Sequence, residues 1–228
     1  MKNINIKSFT LIEISIVLVI IGIILSSVMK GRDLIKSSQI KEYNQVFISE
    51  WETIANSYFS RMNVNFGDSV NYGGKTSETA IDGFSDGQDV PTTTTTMTTA
   101  LQSAGIDPCN LIKSDITVAT GIDIGCGDGG LNPYNRTVDG EHIGKKTTTI
   151  TFSHYTIDSK KKNILLFSNI PADVAQSIDT LRDGMPNGEK GNVRAIVTLP
   201  SNPGDNFTSV AWDGDSTSVY NMIIILEH

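Results

Sequence analysis

Between Phe9 and Met29 the sequence carries one charged side chain, Glu13, in an otherwise uncharged run of 21 residues. In lipid a carboxylate costs a few kcal/mol unless it reaches an interface or meets a cation, so the chemistry open to Glu13 is pairing. Further along, Cys109 and Cys126 form an even pair. In an exported body they read as one disulfide closing a loop of about 18 residues. A zinc site would need two more ligands, and His142, the nearest histidine, has no paired spacing with either cysteine.

Other chemistry-bearing groups are weaker. The string from Asp82 to Asp89, DGFSDGQD, offers oxygen ligands for Ca²⁺ but lacks the alternating ligands and distal Glu of an EF-hand loop, so a solvated Asp-Gly turn is expected. Asp123 and Asp128 in DIGCGDGG read the same way. Lys160, Lys161 and Lys162 are the only dense basic cluster and read as a solvated turn between two strands. The three histidines, His142, His154 and His228, are far apart, and no G-x-S-x-G, H-E-x-x-H, P-loop or Rossmann glycine pattern is present. No catalytic residue, metal or cofactor is therefore expected. The formal charge of -7 argues against a generally basic nucleic-acid surface.

The elements that must position these groups are of unlike kinds. Phe9 to Met29 makes roughly 30 Å of helix, enough to cross a bilayer. Lys2 and Lys7 favour a cytoplasmic start, whereas Lys30 and Arg32, partly balanced by Asp33, lie past the far end. Apolar residues then recur at Ile35, Ile40, Tyr43, Phe47, Trp51, Ile54, Tyr58 and Met62, one face of an amphipathic helix running to about residue 62. Gly31 is a possible hinge, and no proline occurs before Pro91.

Residues 63 to 91 are glycine-rich and polar, a long loop. The threonine tract from Pro91 to Thr99 leads into Met97, Ala100, Leu101 and Ala104 at helical spacing, with Gly105 as a stop. The last eighty residues read as a sheet: strands at Thr147 to Ile157, Asn163 to Asn169, Val193 to Leu199 and Val219 to Leu226. A helix from Pro171 to about Leu181 interrupts them, its Val174, Ile178 and Leu181 on one face and Gly184 past its end. The expected fold is α+β, a long N-terminal helix whose amphipathic half packs on a C-terminal antiparallel sheet. The expected segments are residues 1-8, 9-30, 31-62, a loop-rich 63-146 and a β-rich 147-228.

The first segment admits three readings. A secretory signal would have the basic start and apolar run, but no convincing A-x-A site follows. A plain signal anchor leaves Glu13 without a role. In the third reading, Lys7-Ser8-Phe9-Thr10-Leu11-Ile12-Glu13, followed by the apolar run with Gly22 inside it, resembles the prepilin signal of type IV pilins and type II secretion pseudopilins.

The resemblance implies cleavage by a membrane prepilin peptidase between Ser8 and Phe9, removal of residues 1-8 and N-methylation of Phe9. Ser8 stands where the family usually has Gly. It also implies that Glu13 meets the N-terminal amine of an adjoining subunit, and physically two such costly groups can offset each other's burial. The implied partners are other pilin or pseudopilin subunits, the peptidase, an inner-membrane assembly platform and, before assembly, the lipid bilayer. The implied location is the bacterial inner membrane with a periplasmic body, then a periplasmic or surface filament. In a bacterial cell the sequons Asn135-Arg-Thr137 and Asn206-Phe-Thr208 read as ordinary loop residues. A stretch from Ile178-Asp179 through Arg182-Asp183-Gly184 to Gly191-Asn192-Val193-Arg194 weakly resembles segments of pilin-like proteins. A pseudopilin, or a single-pass envelope binding protein that never polymerises, are the alternatives.

Overall fold

The structure, a computed structural model, describes residues 10-68, 83-85, 96-118, 124-127, 129-213 and 217-227. It divides into two compact units, Met1–Gln39 and Ile40–His228. Helix α1 runs from Leu11 to Tyr43, and α2 from Ser49 to Met62. No helix breaker interrupts the apolar run, and Asn63, in the left-handed conformation, ends α2 with its N–H on the Phe59 carbonyl.

The departure from α geometry is not at Gly31, which lies within α1 with open space where a side chain would be. It falls at Asn44–Ile48, one turn of π-helix. Such a turn closes i to i+5, which brings Asn44 and Ser49 to a common side. There they meet Arg182: its Nε donates to Asn44 Oδ1 (2.8 Å), its Nη2 to Ser49 Oγ (3.0 Å), and both Nη groups engage the Glu52 carboxylate at 2.8 Å. An isolated glycine has no such partner to bend toward.

The sheet has five strands, β1 (Asn135–Gly140), β2 (Gly144–Ile157), β3 (Lys160–Pro171), β4 (Val193–Ile196) and β5 (Val219–Ile225), in the order β1-β2-β3-β5-β4. Every neighbouring pair is antiparallel. Leu165, Phe167, Met222 and Ile224 join the cluster under α2, while Ile164, Leu166, Ile223 and Ile225 join a second cluster with Phe207. Both faces are thus buried, which explains the continuous apolar runs at 164-167 and 222-225 where a half-exposed strand would alternate. Phe207 is held there by its N–H on the Thr156 carbonyl.

Several sequence expectations need correction. The lysine cluster is not a turn: Lys160–Lys162 belong to β3, and the turn is Asp158-Ser159, both at positive φ, as a two-residue hairpin of the I′ kind requires. Strand β1 occupies part of the region expected to be loop, so Asn135 is a strand residue, its Oδ1 accepting from Thr149. Strand β4 stops at Ile196, short of Leu199. Of the expected helical stripe, Ile40 through Tyr58 is buried, but Ile35 and Met62 are exposed. Leu181 is likewise exposed on α5 (Ala172–Asp183), which buries Ala172, Val174, Ala175 and Ile178 instead.

The threonine tract behaves as its spacing implies where it is described. Helix α3 spans Thr96–Ser103 with Met97, Ala100 and Leu101 buried, and Gly105 follows at positive φ.

Candidate functional site

The N-terminal unit presents apolar residues on every side. From Leu11, 90 % exposed, through Met29, every large aliphatic side chain is at least 46 % exposed. A helix apolar all round is one that lipid or other protein must cover. Two of its hydroxyls are turned back on the helix: Ser15 Oγ donates to the Ile12 carbonyl and Ser27 Oγ to that of Ile23, both at 2.9 Å. Among the described residues this helix is long and apolar enough to cross a membrane, with a mean hydropathy of 2.7 over its best window.

Glu13 lies in the first turn, and its carboxylate is occupied. Its Oε2 accepts from the Thr10 N–H (2.8 Å) and the Thr10 hydroxyl (2.9 Å), while the Glu13 N–H points back to Thr10 Oγ1 (3.3 Å). Thr10-x-x-Glu13 is a capping box, in which N-cap and N3 residues satisfy each other's amides reciprocally. The four-residue signal for it, Thr10 followed by Glu13 ahead of an apolar run, stands in the sequence. Ser8 and Phe9, the expected cleavage and methylation residues, lie outside the described residues.

The body's second feature is the Cys109–Cys126 disulfide, with Cα atoms 5.6 Å apart. Cys109 sits in α4 (Pro108–Leu111), whose N-cap Asp107 accepts from the Cys109 N–H (3.1 Å) and the Asn110 amide (2.5 Å). Pro108 at the first helical position loses no hydrogen bond there. On the other side of the bridge, Gly125 has positive φ, and a Cβ at that position would come within 2.9 Å of Thr98 Cβ. Thr98 Oγ1 binds the Ile124 carbonyl and, at 2.7 Å, the Tyr134 hydroxyl. Burial pushes the Tyr134 phenol up, so it stays neutral.

Tyr134 in turn stacks on Trp51, ring centroids 5.3 Å apart, so the bridge fastens a glycine-rich loop to the aromatic core. Replacing both cysteines by serine is expected to lower the stability of the body by about 3 kcal/mol, as loop closure of this length implies. Urea unfolding of the full chain in mild detergent measures it, and an unshifted midpoint would refute it.

Most of the remaining candidates lie beyond what the structure describes. Asp82, Asp86, Asp89, Asp123, Asp128 and His228 lie outside the described residues. Between the first of these, Gly83 to Ser85 is pinned to the sheet: Asn163 donates to the Gly83 carbonyl (3.0 Å) and accepts from the Ser85 N–H (2.9 Å), and His154 Nδ1 lies 2.7 Å from the Ser85 carbonyl. His154 is buried and His142 exposed. Lys161 lies over the Phe84 ring, 5.1 Å from its centroid. Among the described residues no group of three His, Cys, Asp or Glu side chains is placed to hold a metal ion.

The stretch from Asp179 to Arg194 is tied down at three separate places. Arg182 clamps the π-helical turn, Asp183 Oδ2 accepts the Val193 N–H (2.9 Å), and Arg194 reaches Asp158 at 2.6 and 3.2 Å. Hydrogen bonding from Arg194 holds the Asp158 carboxyl below its usual range. No protein-family model, curated protein or solved structure matches the chain.

Proposed function

We propose that the chain is a subunit of a type IV pilus-like filament, of the minor or specialised kind, made as a prepilin and assembled through its N-terminal helix. The observation that carries this reading is the conjunction at the start of α1: a capped carboxylate, Glu13, one turn into a helix that exposes aliphatic side chains all round. A span meant only to anchor uses that acid as a helix cap alone, and a neutral residue would cap it without the cost of a charge in lipid. A subunit that adds to a growing filament has a use for the charge. Each incoming helix exchanges lipid for neighbouring helices, and a charged pair across the contact selects one axial register.

The same contact repeated head to tail is heterologous and does not close, which yields a filament. The sheet-bearing body then faces outward, and its chemistry is recognition rather than catalysis. The peptidase that processes the leader, the assembly platform and neighbouring subunits are the proposed partners, and the inner membrane is the proposed site of the helix before assembly.

The direct test is the mature N-terminus. Mass spectrometry of the chain purified from its own cells is expected to show residues 1-8 removed and a methyl group on Phe9. A chain that begins at Met1, unmethylated, would sink the filament reading and leave a membrane-anchored binding protein.

A further inference from the structure

The uncharged run that follows Glu13 ends at Lys30, 17 residues on and about 25 Å along the axis of α1. A hydrocarbon layer is about 30 Å thick, so with Glu13 near one boundary Lys30 falls near the other. From Lys30 to Lys36 the helix rises about 9 Å, close to the depth of the polar layer on one side of a bilayer, about 5-8 Å. This stretch is unlike the helix on either side of it. Lys30, Arg32 and Asp33 are exposed and Lys36 is half-buried, and among them stand Leu34 and Ile35, 73 % and 61 % exposed.

Arg32 and Lys36, four residues apart, share one face of the helix, and Lys30 lies about 160° round from Arg32, so cations point to both sides. In water the two large aliphatic side chains between them would be bare. At a membrane interface the same mixture is matched: Leu and Ile reach toward acyl chains, and the Lys and Arg stems carry their charge out to the phosphates. The charge has the matching sign. Lys30 to Lys36 carries a formal +2, whereas residues 40-228 hold 13 of the 18 basic residues and 23 of the 25 acids, a formal -10. An anionic surface therefore attracts this stretch and repels the rest of the chain.

We propose that Lys30, Arg32 and Lys36 form a collar that binds the headgroups of anionic phospholipids, with Leu34 and Ile35 seated against the acyl chains. The inference rests on the membrane placement of α1 in the reading above, and not on processing of the leader. Arg32 presents a planar fork that meets a phosphate through two parallel hydrogen bonds, and the two lysines act as point charges. The collar fixes the depth of the helix and makes its hold on the membrane depend on lipid charge. Each cation near an anionic surface favours that hold by about five-fold, and salt weakens it.

The test uses the full chain reconstituted in phosphatidylcholine vesicles, with spin-labelled phosphatidylglycerol or spin-labelled phosphatidylcholine as the probe. Electron spin resonance separates lipid held at the protein from bulk lipid. At low salt phosphatidylglycerol is expected to be held at least about five-fold more strongly than phosphatidylcholine, the factor for a single cation. In 1 M salt, where screening acts within about 3 Å, the ratio should fall toward one. The triple variant Lys30→Gln, Arg32→Gln, Lys36→Gln should bring it to one at low salt while the chain still resists alkaline extraction, because the apolar span is untouched. A ratio of one for the unmodified chain, or an enrichment that survives the triple variant, overturns the collar. Neither result depends on Phe9: a chain that begins at Met1 can still hold phosphatidylglycerol and a methylated chain can fail to, so this inference and the filament reading fall separately.

Discussion

Chains carrying Glu13→Leu are expected to reach the membrane at the normal level and to be depleted from filaments by about a hundred-fold or more. Removing one member of a buried charge pair strands the other, at roughly 3-5 kcal/mol, and each 1.4 kcal/mol is tenfold in affinity. The leucine also makes the helix more apolar, so insertion into lipid does not suffer. Glu13→Gln separates the two roles the structure allows. Glutamine at N3 still completes the box with Thr10, whose hydrogen bonds are 2.8 and 2.9 Å, but carries no charge. Under the filament reading Glu13→Gln fails like Glu13→Leu. If Gln restores assembly, the residue is only a helix cap. Immunoblotting of sheared filaments against whole membranes gives the ratio, and a normal ratio for Glu13→Leu would sink the reading.

The second large effect belongs to the body. Trp51→Ala is expected to destabilise it by roughly 3-5 kcal/mol, a large part of what holds an ordinary domain. Trp51 is fully buried, stacked on Tyr134 and set edge-on to Phe152 at 5.8 Å, with its Nε1–H on the Pro133 carbonyl (3.2 Å). The deletion leaves both a large void and a carbonyl without its donor. Trp51→Phe keeps a ring in the stack and is expected to lose much less. Guanidinium unfolding of the full chain in mild detergent, followed by circular dichroism, separates the two variants. A loss below 1 kcal/mol for the alanine would mean that the site collapses around the gap.

What the sequence made legible was local periodicity. The stripe from Ile40 to Tyr58 is visible because the 3.6-residue repeat is a property of the helix itself. Whether a stripe residue is buried depends on what lies opposite, and that is why Ile35 and Met62 match the pattern yet are exposed. Helix α5 shows the same split: Pro171 and Gly184 mark its ends, but the exposed Leu181 is decided by neighbours far along the chain.

Strand β1 was hidden because NRTVDG carries a single aliphatic residue, Val138. It is a strand because β2 pairs with it, Arg136 opposite Thr148 and Thr137 opposite Thr147. In β2 the buried apolar residues change faces, Ile150 and Phe152 joining one cluster and Tyr155 and Ile157 the other, which no single alternating template describes. The candidate site divides in the same way. The cysteine pair and Glu13 stand out by residue type. Thr10 needed only the four-residue capping pattern. The Arg182 clamp joins residues 130 to 138 apart in the chain, so no spacing rule reaches it.

The position of β5 sets the order in which the body can be completed. A ribosome delivers β3 and β4 well before Val219–Ile225, yet β5 lies between them in the sheet. Until it arrives, two strands wait with bare edges, and neither can settle for the other without shutting β5 out. Completion is thus a single late event in which one segment zips two open seams. A chain interrupted before Val219 leaves both edges unpaired, so the last strand is the one whose loss opens the sheet at two places.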